Sequence, residues 1–391
     1  MKDNLNLKTE LITAADALKD RLTSLSDSFY RSPELGLEEH KTSAAMQGML
    51  RGHGFFVEQG VAGMPTAFKA TIGSGPPYVA LLAEMDALPE IGHGCGHNIA
   101  GTASIGAACA LAKVLTSTQW KGTVVVLGTP AEELGKGKIA MLNAGVFNGI
   151  DAAMMAHGSS TRKLFKRFLG LVRLTFTFTG RASHASAYPE EGINALDAVI
   201  QTFNSIAALR QQLSADARVH GIITDGGKAP NIIPETASCS FYVRAKGLEG
   251  LNSVKEKVIK CAEGAALATG CGLAVSESPD WNAPMKENKA FIGVYRGALD
   301  FLGLKEDASD PSKNVGSSDI GNVSQAVPVI HPYVPIKPGI NIHTREFASA
   351  TVTPDGHRAL MEGVKCLALT AIELLLNPRI LEEIKTEFKK N

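Results

Sequence analysis

Three short apolar runs in this chain each stop at residues able to bind a cation, and that recurrence restricts the fold. The runs cover residues 78–83, 120–128 and 150–156. The first is an unbroken apolar run, and the other two are apolar apart from Lys121 and Thr123 and from Asp151 near their starts. Such stretches fit strands buried on both faces, as in a parallel sheet, and open α/β sheets present ligand sites at strand carboxyl ends. The first run follows Pro76 and Pro77 and delivers Glu84, Asp86, His93, Cys95, His97 and Asn98. The small apolar stretch at residues 100–112 predicts a helix packed tightly on the sheet, which leaves Cys95 and His97 on a strand-to-helix loop. Gly92, Gly94, Gly96 and Gly101 allow backbone bends that a Cβ would resist.

A thiolate and an imidazole one residue apart can converge on one cation if the glycine between them turns. Such a pair suits zinc, and imidazole with carboxylate also accepts manganese or cobalt; the plain alternative makes Cys95 a buried structural thiol. The second run delivers Glu132 and Glu133. Adjacent glutamates there can divide the work, one binding metal while the other takes a proton from water and passes it to a leaving nitrogen. Their alternative is the acidic start of a helix at residues 138–142. The third run ends at His157, and residues 338–346 supply His343 in a polar setting. Any one histidine could be a satisfied core residue, but Cys95, His97, Glu133, His157 and His343 on separate segments predict one composite site, with two metals if a group bridges them. Asp86 is expected to orient a ligand imidazole.

Taken in order, the residues Ser32 to Glu39, Met85 to Pro89, Gly94 to Asn98, Pro130 to Glu133, Gly180 to Ala185 and Asn341 to His343 resemble the successive motifs of the aminoacylase and carboxypeptidase-type metallopeptidase family. The Cys95-Gly96-His97 form resembles its amidohydrolase branch, and with residues 316–324 it resembles aminobenzoyl-glutamate hydrolase and β-alanyl-lysine dipeptidase relatives more closely still. The resemblance implies a zinc-exopeptidase-like catalytic domain with an inserted dimerisation domain. It implies metal ligands at Cys95, His97, Glu133, His157 and His343 for one or two divalent ions per subunit, zinc or manganese. It also implies Glu132 as general base, His184 as a stabiliser of the tetrahedral intermediate, and Asn231 and Arg244 as substrate-binding residues. Many branch members carry aspartate after Cys-Gly-His; here Asn98 leaves less negative charge beside the site.

At 391 residues the chain exceeds what one core usually sustains. The expected organisation is an α/β fold with a mostly parallel sheet covered by helices, built from residues 1–167 and 282–391, and an inserted α+β domain at 168–281. A helix is expected over 9–28 and another from near Gly36 to Leu50; a third over 357–376 covers the sheet. The insert reads as two helices and four strands. Its first strand, residues 171–179, alternates, so one side is packed and the other wet; we expect it to be a sheet edge open to a second subunit. Lys163, Lys166 and Arg167 read as a solvated junction between domains.

Lys plus Arg equals Asp plus Glu at 39 each, which gives no indication of nucleic-acid binding. The amino terminus lacks a signal-like apolar core and no run reaches membrane-spanning length, so a cytoplasmic protein with no membrane partner is expected. Six irregularly spaced cysteines do not make a disulfide framework.

The expected activity is hydrolysis of an amide bond in an N-acyl amino acid, aminobenzoyl-glutamate or a small dipeptide by metal-activated water, in a homodimer or a higher oligomer. The alternatives are a dipeptidase or aminopeptidase that requires a free amino group and a non-catalytic small-molecule binder. A phosphate enzyme ranks last, because residues 135–138 lack the hydroxyl that ends a phosphate loop. His331 is either a pocket residue or a structural one.

Overall fold

In the computed structural model, which describes residues 4–116, 120–308 and 316–390, the run at residues 78–83 becomes the middle of a six-stranded sheet. The chain divides into two compact units, the first comprising Met1–Lys166, Lys286–Lys313 and Ser318–Asn391 and the second Arg167–Met285 with Asn314–Ser317. Its first leg runs α1 (Asn4–Asp16), α2 (Lys19–Arg31), α3 (His40–Arg51), β1 (Phe56–Gln59), β2 (Phe68–Ser74), β3 (Tyr78–Glu84), α4 (His97–Leu115), β4 (Gly122–Thr129), α5 (Gly137–Asn143), β5 (Ala152–Met154) and β6 (His157–Ser159). The second unit holds β7 (Gly170–Thr179), α6 (Ala195–Leu209), β8 (Arg218–Asp225), β9 (Thr236–Ala245), α7 (Leu248–Thr269) and β10 (Gly272–Glu277). The return leg adds α8 (Lys289–Phe301), α9 (Ile320–Ala326), β11 (Val329–Ile330), β12 (Tyr333–Pro335), α10 (Arg345–Ala350), α11 (Pro354–Leu376) and α12 (Pro378–Lys390).

The large sheet has the order β1-β2-β4-β3-β5-β11. β3 is parallel to β4 and β5, β5 is parallel to β11, and β1 and β2 join antiparallel, so the sheet is mixed with a parallel centre. β3 and β4 are in register to their ends, where Glu84 stands opposite Thr129. The loops carrying Cys95 and His97, and Glu132 and Glu133, therefore leave the sheet side by side. α4 is small-residued and buried almost throughout. Ser104 Oγ donates to Leu82 O at 2.6 Å, and a Cβ on Gly101 would collide with Glu84 O, so this glycine serves close helix–strand packing rather than a bend. α4 is also long and apolar enough to cross a membrane, contrary to the sequence expectation, but it is the core helix of this unit.

Two helical expectations need correction. The helix expected over 9–28 breaks at Ala17 and Leu18, where Leu18 N bonds to Ala15 O and tightens the turn. The buried stripe of Leu7, Leu11, Leu22 and Phe29 runs on across the break, so periodicity alone conceals it. The helix expected from Gly36 starts at His40, because Leu37 has a φ of 72° and Glu38 N closes a turn onto Leu35 O.

The second unit is a four-stranded antiparallel sheet of order β10-β7-β9-β8 with α6 and α7 packed on one face. Phe176, Phe178, Phe241 and Val243 are buried on that face. β7 is not the edge expected from its alternation: it lies between β10 and β9. Alternation reports that one face is packed; it carries no information on lateral position. The edges are β8 and β10, and on β8 the successive residues Ile222 and Ile223 are both exposed. The basic cluster is not a solvated junction either. Lys163 is buried, with Nζ donating to the carbonyls of Asp307 and Ala308, while Lys166 Nζ donates to Ser159 Oγ at 2.7 Å and lies 3.7 Å from the Tyr333 ring centre.

Candidate metal centre

The strand ends of the first unit bring together all five expected metal ligands and Glu132. His97 opens α4 after Gly96, whose φ of 78° makes the turn that places Cys95 and His97 together. His97 Nδ1 lies 2.8 Å from Asp86 O and 3.2 Å from Asp86 Oδ1, which leaves Nε2 facing the cluster. Asp86 Oδ2 accepts from Glu133 N at 2.8 Å, so one buried carboxylate fixes both a histidine and the neighbouring strand end. His157 starts β6; its Nδ1 lies 2.7 Å from Gly158 O and its Nε2 is left for the cluster. His343, with a φ of 64°, comes from the segment before α10, where its N donates to Gly94 O. Its Nε2 is 2.8 Å from Cys95 Sγ and 3.9 Å from Glu133 Oε2.

Two ligand groups result, each with its donor atoms within 4.8 Å of one another: Cys95, His97 and His157, and Cys95, Glu133 and His343. They share the Cys95 sulfur. The buried Glu133 Oε1 has no hydrogen-bond partner among the described residues, and His97 Nε2 has none beyond an ion pair with Glu84 Oε2 at 3.4 Å. Buried polar atoms are rarely left so, and a thiol, imidazoles and a carboxylate converging on one space fit a divalent cation.

The electrostatics agree. Burial pushes the Cys95 thiol up, so ligation must displace its proton. Burial pushes His157 down to about 4, which keeps it neutral and able to ligate. Burial opposes charge on His97, but Glu84 and Asp86 outweigh it and hold its pKa well above the usual histidine range; a cation at Nε2 would take that proton's place.

Glu132 belongs to neither of these groups, although it also converges with His97 and Glu133 within 4.8 Å. Its Oε1 accepts from Ser318 Oγ at 2.6 Å and its Oε2 is 3.9 Å from His97 Nε2. Burial and the nearby Glu84 carboxylate push it up to about 8. It does not cap α5, whose first turn takes Asp319 instead, through Lys138 N at 2.9 Å. The residue before it, Ala131, has a φ of 56° and is held by N donating to buried Glu39 Oε1 at 2.8 Å.

The sequence reading missed what lies behind. Lys138 is fully buried, with Nζ 2.7 Å from Glu84 Oε1 and 2.6 Å from Asp319 Oδ1. Although burial works against it, the Lys138 ammonium with His97 holds Glu84 below the usual carboxylate range. Glu84, Glu132 and Asp319 also converge like a metal site, but the ammonium is already among them. The available signal was a lone lysine in the apolar stretch Gly137-Lys138-Ile139-Ala140-Met141. Asn98 takes part in none of the converging groups: its Nδ2 donates to Ser26 Oγ at 3.2 Å and Thr351 Oγ1 at 3.0 Å. His331 is buried with its ring centre 5.1 Å from that of His157 and 4.9 Å from that of Tyr333.

His184, Asn231 and Arg244 belong to the second unit. His184 pairs with Ile232, and Ala185 N donates to Asn231 O at 3.0 Å, so the first two lie on adjoining segments. Arg244, on β9, donates through Nη1 to Ser317 Oγ at 2.9 Å.

Residues 169–269 match the Peptidase dimerisation domain family. The chain is 37% identical over 398 residues to an Xaa-Arg dipeptidase of Mus musculus, covering 98% of this chain and 92% of the relative. It is 30% identical over 450 residues to a subunit of the p-aminobenzoyl-glutamate hydrolase of Escherichia coli, covering 96% and 94%. Its fold matches a dinuclear metal-binding peptidase of the M20 family from Bacillus subtilis with a TM-score of 0.74 at 22% identity, covering 92% of this chain and 99% of that one. The chain thus belongs to the M20 peptidase family, in its amidohydrolase branch, and is a metal-dependent hydrolase of amide bonds.

Proposed function

We propose that the protein hydrolyses the amide bond of a small dipeptide, an N-acyl amino acid or aminobenzoyl-glutamate, with Cys95, His97, Glu133, His157 and His343 holding one or two ions of zinc or manganese and Glu132 as general base. The observation that carries this reading is a carboxylate, Glu132, facing two ligand groups that share one sulfur. When bound by these residues, a divalent ion would supply Lewis acidity for the carbonyl and would lower the pKa of water at the site. Glu132 accepts the water's proton and passes it to the leaving nitrogen. An Oε2 facing the cluster supports that role, as does a site that pushes its pKa upward, towards the range in which a carboxylate can both take and return a proton.

His184 meets the charge that develops on the carbonyl oxygen, and Asn231 and Arg244 hold the substrate carboxylate, for which a guanidinium offers paired donors. Dipeptides come first among the substrates because the relative at 37% identity is a dipeptidase. A homodimer formed through the edge strand β8, whose Ile222 and Ile223 are exposed, goes with this reading. So does a cytoplasmic setting, since all six cysteines are free and Cys95 must remain a thiolate ligand.

The test is mass-spectrometric assay of the metal-defined protein and its Glu132→Ala variant against dipeptides with basic or β-alanyl residues, N-acyl amino acids and aminobenzoyl-glutamate. Cleavage by the wild type alone, with equal metal in both proteins, is expected. Cleavage by both forms removes Glu132 from the reaction, and cleavage by neither under zinc or manganese overturns the hydrolytic reading for these substrates.

A further inference from the structure

We propose that Ser318 is a positioning residue for Glu132, and that the buried Lys138–Asp319 pair is the anchor that keeps Ser318 in place. The inference rests on the reading of Glu132 as the base. A carboxylate works as a base through one oxygen at a time, and its two oxygens are equivalent unless something distinguishes them. Here Oε1 is taken by the Ser318 hydroxyl at 2.6 Å, while Oε2 faces His97 at 3.9 Å. The hydroxyl is itself oriented: Ile320 N points at Ser318 Oγ from 3.4 Å, so a lone pair is used there and the single hydroxyl hydrogen is left for Glu132.

The next residue explains why Ser318 can hold this place. Asp319 receives two bonds from one lysine, Lys138 N on Oδ2 at 2.9 Å and Lys138 Nζ on Oδ1 at 2.6 Å. Lys138 Nζ also meets Glu84 Oε1 at 2.7 Å, at the end of β3. The segment bearing Ser318 is thereby tied to α5 and to the strand that leads into Asp86 and His97. Buried ion pairs contribute little net stability over apolar replacements of the same size, so a fully buried lysine between two carboxylates is better explained by what it fixes than by what it stabilises.

The test uses the full chain loaded with zinc or manganese. In Ser318→Ala, kcat is expected to fall roughly 10- to 100-fold, from the worth of a hydrogen bond to a charged group, with KM and bound metal as in the wild type. Ser318→Thr, which restores a hydroxyl, recovers most of that loss. Asp319→Asn lowers kcat in the same way, and adding Ser318→Ala to it costs less than the product of the two single effects, because both act on one carboxylate. An unchanged kcat in Ser318→Ala, a loss confined to KM, a loss of metal or full multiplicativity in the double variant overturns the inference. Should the wild type cleave nothing in the panel, the functional reading fails and the inference is decided by crystal structures: a Glu132 carboxylate oriented alike in wild type and Ser318→Ala overturns it, and a turned one upholds it.

Discussion

The two ligand groups that meet at Cys95 are built to different standards. Cys95, His97 and His157 are buried, and both histidines have Nδ1 on a fixed acceptor, Asp86 for His97 and Gly158 O for His157. In the other group Glu133 is partly buried, and the His343 side chain is 52% exposed on a backbone in the left-handed region. Ligands whose rings are locked beforehand lose little freedom on binding a cation, whereas an exposed imidazole on a loop must be ordered at that moment. The buried half is thus the more firmly fixed of the two, although His343 Nε2 already stands 2.8 Å from the shared Cys95 sulfur.

That contrast can be broken by exchanging which half is damaged. His97→Ala or His157→Ala is expected to remove all tightly bound metal and all turnover, while His343→Ala removes at most one equivalent and leaves the buried half loaded. Metal per subunit after gel filtration decides it, and equal losses in the three variants would show that the halves bind as one. Next in size is Glu132→Gln, which keeps both halves and is expected to lower kcat roughly 10²- to 10⁴-fold, the usual worth of a general base; metal lost along with activity would make Glu132 a ligand instead. Asp86→Asn should weaken the buried half by roughly 10- to 100-fold, the typical effect of removing a group that orients a ligand, and competition with a chelator would reveal that loss as a single weakened equivalent.

How much of this could be read in the sequence differs in the same way between contacts near in the chain and contacts far apart. The sheet, the insert of two helices and four strands and the convergence of the strand ends follow from apolar runs and the residues that stop them. Cys95 and His97 are read from one loop. The partnership of Lys138 with Glu84 and Asp319, and of Ser318 with Glu132, joins residues far apart in the chain. No local period encodes such pairs; the only trace is a charged residue where an apolar one would serve. The expectation that β7 is an edge failed for a related reason, because strand order is set by which partners pair and not by the strand's own pattern.

The smallest expected effect concerns Asn98, where the sequence suggested that a missing negative charge weakens the metal centre. The side chain instead ties α4 to Ser26 on α2 and to Thr351 next to α10, and it takes part in neither ligand group. Asn98→Asp should therefore leave metal content unchanged. Its cost falls on stability, about 1–3 kcal/mol for a buried polar network rebuilt around a group that no longer donates. The Ser26 hydroxyl can turn to donate to the new carboxylate, whereas Thr351 Oγ1 already donates to Ala348 O at 2.7 Å, so only part of the network is rebuilt. Thermal unfolding of the metal-loaded protein together with metal analysis checks both parts. A gain of one equivalent in Asn98→Asp would mean that the charge of this residue reaches the cluster after all, and that the open half is limited by charge rather than by the exposure of His343.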